Sequence, residues 1–250
     1  MSDDFLRWLY DNAPVARSEF RSLIRSSVGT RQVTYRDLKW ICHPKDNSVE
    51  RSLWLKQATE EEAEVDWLIG RLRPGQVLCD IGANCGVYAL TTRAASKARV
   101  IAIEPNPTMR QRLAANVALN QLDGISVVAA AVGDEPGRLK LAMGSRWDFG
   151  QASLIDRPNS KGIEVDVRPL ADILREQGLA RVDAIKIDVE GFEDKALGGY
   201  LRDAAEADLP SSLVIEHLHD KIWSIDLHAL ALSRGYTLAE KTTNNFLFTR

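Results

Sequence analysis

From Thr59 onward the chain alternates between two spacings of apolar residues. Short, nearly unbroken apolar runs, QVLCDI, RVIAIE, ISVVAAAV, VDAIKID and SLVIE, read as strands buried on both faces. Between them the apolar residues fall three or four apart, as in PTMRQRLAANVALN, where Met109, Leu113 and Val117 share one helical face. VYALTTRAA, PLADILREQ, FEDKALGGYL and DLHALALSR read the same way. Gly235 follows the last of these as a C-cap. YTLAEK and NNFLFTR are joined by a short turn and predict an antiparallel C-terminal end. The whole pattern predicts an α/β fold: a mostly parallel, seven-stranded, Rossmann-like sheet with helices on both faces.

Residues 1–58 follow a different pattern. DDFLRWLYDN and VARSEFRSLIRS look helical, and TRQVTYRDLKWICHP alternates like strands ending at Pro44. We read an N-terminal helix-and-strand cap over 1–58 and a Rossmann-like domain over 59–250, its first helix opened by a capping box of Thr59 and Glu62. Arg17, Arg21 and Arg25 recur every four residues and read as a solvated stripe. An insertion over about 135–168 interrupts the alternation, with RLKLAM and IEVDV as strands flanking a polar loop. Trp147, Phe149 and Ser153 in that loop are candidates for an acceptor-binding wall, since aromatic faces stack on flat rings.

Composition narrows the partners. A formal net charge of −3 gives no broad attraction to a nucleic acid backbone. Three cysteines, none in a CxxC pair, suit a reduced, cytoplasmic setting. No run reaches the roughly 18 apolar residues of a membrane span, and MSDDFLRWLYDN lacks the marks of a secretory signal.

The chemistry concentrates in VLCDIGANCGVYAL, residues 77–90, where a strand pattern meets glycines with a carboxylate at the join. A dinucleotide site would show G-x-G-x-x-G, so that a pyrophosphate can approach backbone N–H groups. Here only Gly82 and Gly86 are present, and Asp80 would repel a phosphate. A ligand with positive charge and no phosphate, such as S-adenosylmethionine, fits better than NAD. Glu104 ends the next strand, where an acidic side chain reaches ribose hydroxyls.

DIGANCG, IAIEPNP, AAAVGD and KIDVEGFE together resemble the FkbM family of S-adenosylmethionine-dependent methyltransferases, within the class I Rossmann-like group. The resemblance spans residues 60–217 and implies O-methylation of a hydroxyl on a sugar, polyketide or other secondary metabolite, that is, a small-molecule or glycan acceptor. It implies that Asp80, Gly82, Ala83, Asn84 and Gly86 contact the methionine portion of the cofactor. Glu104, with Pro105 beside it, would hold the ribose. Adenine would lie near Ala131 to Asp134, with Asp134 accepting from its amino group.

Transfer to a hydroxyl needs a proton acceptor, or a metal that acidifies the hydroxyl. Candidates cluster at two strand ends: Asp188 and Glu190 after IKID, and Glu216 and His217 in IEHLHD, with His219 on the acceptor side. Glu193 and Asp194 suit the first turn of a helix without any chemistry. Asp188, Glu190 and Glu216 with a histidine are also hard ligands of the kind that hold Mg²⁺ or Mn²⁺. A non-catalytic cofactor-binding module of a larger assembly is the alternative reading, and homo-oligomerisation stays open.

Overall fold

Residues 3–12, 27–142 and 162–250 are described by the computed structural model. Arg17, Arg21, Arg25, Trp147, Phe149 and Ser153 lie outside the described residues. After helix α1 (Asp3–Asp11), the expected strands are β1 (Arg31–Tyr35) and β2 (Leu38–Cys42), paired as an antiparallel hairpin. Its two turn residues, Arg36 and Asp37, both have positive φ (51° and 60°), the geometry that matches the twist of paired strands. Helix α2 (Ser48–Lys56) has no counterpart among the predicted elements. Its inward face mixes Leu53 and Trp54 with buried Glu50 and Ser52, so no clean apolar stripe marks it. It is started by Asn47, whose Oδ1 accepts from the Glu50 N–H at 2.9 Å.

The alternating region follows as α3 (Glu62–Arg71), β3 (Val77–Ile81), α4 (Val87–Ser96), β4 (Arg99–Ile103), α5 (Pro107–Leu119) and β5 (Ile125–Val128). Next come β6 (Ala131–Val132), β7 (Gly137–Ala142), β8 (Gly162–Arg168), α6 (Leu170–Glu176), β9 (Ala184–Ile187) and α7 (Glu193–Asp203). The chain ends with β10 (Ser212–Glu216), α8 (Leu227–Ser233), β11 (Thr237–Lys241) and β12 (Asn245–Thr249). The predicted box before α3 is built: Glu62 Oε1 accepts from the Thr59 N–H at 2.9 Å, and Thr59 Oγ1 accepts from the Glu61 N–H at 3.3 Å.

The seven strands stand in the order β11-β12-β10-β9-β3-β4-β5. Only β12 runs against its neighbours. The order of winding reverses between β3 and β9, the place where open α/β sheets form a ligand crevice at their carboxyl ends. One prediction needs correction: ISVVAAAV is two strands, not one. β5 closes the edge of the main sheet, whereas β6 pairs with β8 in a separate three-stranded sheet, β6-β8-β7. The two strands of the insertion give β6 a partner that the main sheet does not offer.

Alternation along the strands sorts the two faces. Val77, Cys79, Ile81, Ile101, Ile185, Ile187 and Leu213 pack with α6, α7 and α8. Leu78, Val100, Ala184 and Val214 face the other way, into a core shared with α3, α4 and the N-terminal Trp40, Leu53 and Trp54. Described residues of the N-terminal segment, from Val28 to Trp54, are thus packed into the sheet's own core. Among the described residues no helix is long and apolar enough to cross a membrane, and Cys42, Cys79 and Cys85 are buried free thiols.

Two asparagines one helical turn apart dock the hairpin by reading the open edge of β2. Asn120 Oδ1 accepts from the Lys39 N–H (2.8 Å) while its Nδ2 donates to the Lys39 carbonyl (2.7 Å). Asn116 Oδ1 accepts from the Ile41 N–H (2.9 Å), and its Nδ2 donates to the Cys85 carbonyl (3.3 Å). Covering a strand edge in this way satisfies groups that would otherwise be open to pairing. Asn116→Ala leaves a backbone donor and an acceptor without partners and is expected to cost about 1–3 kcal/mol. The check is urea unfolding, in which the midpoint falls with an unchanged slope.

Candidate functional site

The face shared with the N-terminal segment is apolar low in the sheet and charged at the carboxyl ends of the strands. With period two, Leu78 leads to Asp80, Ala102 to Glu104, Ala184 to Lys186 and Asp188, and Val214 to Glu216. A cavity of about 560 Å³ opens there, with Gly82, Glu104, Asp188 and Glu216 in its floor. Its opposite wall is α2 together with residues 59–61, and Tyr10 of α1 also reaches it.

The turn after β3 fixes the floor. Gly82 has φ +78°, and a Cβ there would stand 1.9 Å from the Asp188 carbonyl oxygen, so only glycine lets the turn pass over the end of β9. The Gly82 and Ala83 N–H groups both donate to the Ile103 carbonyl (2.9 and 3.1 Å). Gly86, at φ +97°, starts α4; a Cβ there would lie 2.7 Å from Leu90 Cδ1. Asn84 is left-handed (φ 52°), and its N–H donates to Glu104 Oε2 at 2.8 Å. Its Oδ1 accepts from Asn47 Nδ2 at 2.8 Å, tying the turn to the start of α2. Glu104 Oε1 accepts from the Asn106 N–H at 2.7 Å. Both carboxylate oxygens are therefore oriented, each with acceptor capacity left. Burial pushes the Glu104 carboxyl up to about 7, against the pull of these two N–H groups. Pro105 also borders the cavity.

Asp80 lies below the turn. It is fully buried, neither oxygen meets hydrogen-bonding geometry, and it does not border the cavity, although Ile81 and Gly82 do. Burial raises its carboxyl to about 6, while Lys186 and, more weakly, the Ala89 N–H pull it down. Lys186 is the residue that sequence reasoning missed. Parallel register sets it directly beside Asp80, with Nζ 3.9 Å from Asp80 Oδ1 and 3.6 Å from Asp188 Oδ2. The available signal was a lysine inside the otherwise apolar AIKI.

The catalytic candidates separate. Asp188, Glu190 and Glu216 all border the cavity. Glu190 sits at φ 55° in the turn after β9, with Oε2 3.4 Å from His219 Nε2. Glu216 is 5% exposed and its Oε2 has no partner; burial, followed by Asp188, Glu193 and Glu190, pushes its carboxyl up to about 10. His217 lies off the cavity, its ring 4.3 Å from that of Phe246 and its Nε2 3.3 Å from the Thr242 carbonyl. Ala130, Ala131 and Val132 border the cavity, but Asp134 is exposed and accepts from the Gly199 N–H at 3.1 Å. Glu193 and Asp194 hold loops. Glu193 accepts from the Val189 and Gly191 N–H groups and from Trp223 Nε1, and Asp194 accepts from Ser224 and Ile225.

Among the described residues, oxygens of Asp188, Glu193 and Glu216 lie within 4.8 Å of one another. This differs from the expected metal set of Asp188, Glu190, Glu216 and a histidine, and it fits a divalent ion poorly. Both Glu193 oxygens already accept N–H donors, and the Lys186 ammonium stands beside Asp188.

The family model described as Methyltransferase FkbM domain matches residues 80–238. Methyltransferase sdnD of Sordaria araneosa is 26% identical over 202 residues, covering 68% of this chain and 77% of that protein. The 31-O-demethyl-FK506 methyltransferase FkbM of Streptomyces tacrolimicus is 28% identical over 199 residues, covering 67% and 75%. Among solved structures, a candidate SAM-dependent methyltransferase from Streptococcus mutans superposes with TM-score 0.53 at 9% identity, covering 90% of this chain and 56% of that one; the likeness is one of fold. The family match, the glycine turn over β9 and the oriented Glu104 agree, and the chain belongs to the FkbM family of S-adenosylmethionine-dependent methyltransferases, with the class I Rossmann-like fold.

Proposed function

We propose that the reaction is O-methylation of a small-molecule acceptor bearing a hydroxyl, with Asp188 as the proton acceptor. The observation that carries this reading is contiguity: the Gly82 turn and the Asp188 backbone touch, so the cofactor turn and a strand-end carboxylate share one cavity floor. Two relatives support the oxygen acceptor by their names, the FK506 enzyme already given and the 2-O-methyltransferase NoeI of Sinorhizobium fredii, 28% identical over 145 residues.

The residues present fit the cofactor. A glycine turn too tight for a side chain, a Glu104 oriented by two N–H groups with acceptor capacity left and an excess of buried carboxyl groups suit an adenosine bearing positive charge. When bound, S-adenosylmethionine supplies a methyl group on cationic sulfur. In this reading Glu104 accepts from the ribose hydroxyls, and Ala130 to Val132 flank the adenine. The acceptor lies between the floor and α2, its hydroxyl directed at Asp188. Asp188 takes the hydroxyl proton as the new bond forms. Glu216, protonated at neutral pH, donates a hydrogen bond into the same space. In the N-terminal segment, α2 serves as the wall that shields the reacting groups from water.

Two outcomes are expected. Glu104 must be ionised to accept both ribose hydroxyls, and its carboxyl sits near 7 in the free protein. Below that pH a proton must leave on binding, so affinity rises with pH, about tenfold between pH 6 and 8. Calorimetry with S-adenosylmethionine reads this. Glu104→Gln should bind on the order of ten- to a hundredfold more weakly at pH 8 and lose the slope around pH 7; an unchanged slope removes the ribose assignment. Asp188→Asn should slow methyl transfer by about 10²–10⁴-fold with affinity for S-adenosylhomocysteine, which lacks the sulfonium charge, within a few-fold of wild type. The assay is a radiolabelled-methyl screen against hydroxylated metabolites, followed by rates on the acceptor found, and wild-type turnover by the variant refutes the role.

A further inference from the structure

Lys186 occupies a position that needs a reason. It is only 3% exposed, in the middle of the sheet, where an ammonium loses its hydration and stays charged only when paired. Its Nζ stands 3.9 Å from Asp80 Oδ1, 3.6 Å from Asp188 Oδ2 and 3.5 Å from the Gly82 carbonyl, and 4.9 Å from the centre of the Tyr88 ring. These are the three structures that meet at the cofactor end of the cavity: the strand below the turn, the turn itself and the strand-end carboxylate. Burial works against the ammonium, yet Asp188, Asp80, Glu61 and Glu216 hold it above the ordinary lysine range.

The contacts are too long to be strong hydrogen bonds, so the interaction is mainly one of field. Of the charges grouped around Lys186, a ligand on this floor feels two carboxylates less one ammonium. The cofactor before transfer is a sulfonium; the product after transfer is a neutral thioether with the same nucleoside and amino acid. The two therefore differ at the floor by one positive charge and one methyl group. We propose that Lys186 is a positioning residue whose buried charge offsets Asp80 and Asp188 and so sets how strongly the site prefers the sulfonium cofactor over its thioether product. Such an offset limits overbinding of the ground state, which would otherwise raise the barrier to transfer. The inference rests on the S-adenosylmethionine reading of the cavity.

The test needs no acceptor. Binding of S-adenosylmethionine and S-adenosylhomocysteine to the full chain is measured by calorimetry at low salt and pH 8.5, above the range in which Asp80 titrates. The ratio of the two dissociation constants is compared among wild type, Lys186→Met, Lys186→Arg and Asp80→Asn. Removing the ammonium should shift the ratio toward the sulfonium, and removing the Asp80 charge should shift it the opposite way. Each shift is on the order of tenfold or more for a unit charge within about 12 Å at an effective dielectric of about 20. Lys186→Arg should keep the wild-type ratio. A purely structural lysine would weaken both ligands together; because Asp80 can take up a proton once Lys186 is gone, an unchanged ratio in Asp80→Asn, where Lys186 stays charged beside Asp188, overturns the proposal. If Lys186→Met does not fold, the near-isosteric Asp80→Asn decides alone. Failure of the wild type to bind either ligand would instead sink the cofactor reading.

Discussion

At the reversal of the sheet, the backbone of the Gly82 turn lies directly on the carbonyl of Asp188, with no room for a side chain between them. The rest of the site follows from that contact. Because the turn can lie so low, the Gly82 and Ala83 N–H groups reach the Ile103 carbonyl, and the Asn84 N–H reaches Glu104. Three strand ends, those of β3, β4 and β9, are thereby held in fixed relation by backbone groups. The family's cofactor turn and the candidate proton acceptor come from segments more than a hundred residues apart in the sequence, yet share one cavity floor.

Gathering carboxyl groups in a desolvated place is unfavourable, and this protein meets the cost differently at each one. Glu104 receives two backbone N–H donors. Glu193 receives two N–H donors and the Trp223 indole, which explains its burial without any catalytic role. Asp80 has the ammonium of Lys186 beside it. At Glu216 the pull of Lys186 is outweighed, and burial with its acidic neighbours drives it to keep a proton. The ordering separates groups built into the scaffold, Asp80 and Glu193, from Glu104, Asp188, Glu190 and Glu216, which border the cavity.

The N-terminal segment belongs to the same physical unit. Trp40, Leu53 and Trp54 fill the core above the sheet, and Asn116 and Asn120 hold the hairpin's edge. Arg112 meets Asp46 at 2.8 Å and Glu50 at 2.5 Å, fixing the entry to α2 from the side of α5. Asn47 then links α2 to the turn itself through Asn84, and also donates to Met109 Sδ at 3.2 Å. The helix that walls the cavity is registered to the cofactor turn through these few polar contacts.

The sequence by itself determined what depends on neighbours along the chain. Apolar spacing separated strands from helices, the Thr59 and Glu62 pair marked a helix start, and RLKLAM and IEVDV were legible as strands. The motif residues Gly82 and Glu104 stood out because each ends a run and breaks its chemistry. Only the tertiary structure decided which distant residues meet. The register of β3 against β9 placed Lys186 beside Asp80, the second sheet divided ISVVAAAV, and packing left His217 and Asp134 away from the cavity. Periodicity tells which face of a strand a residue occupies, but pairing across the sheet is a non-local choice made by the packing of the whole core.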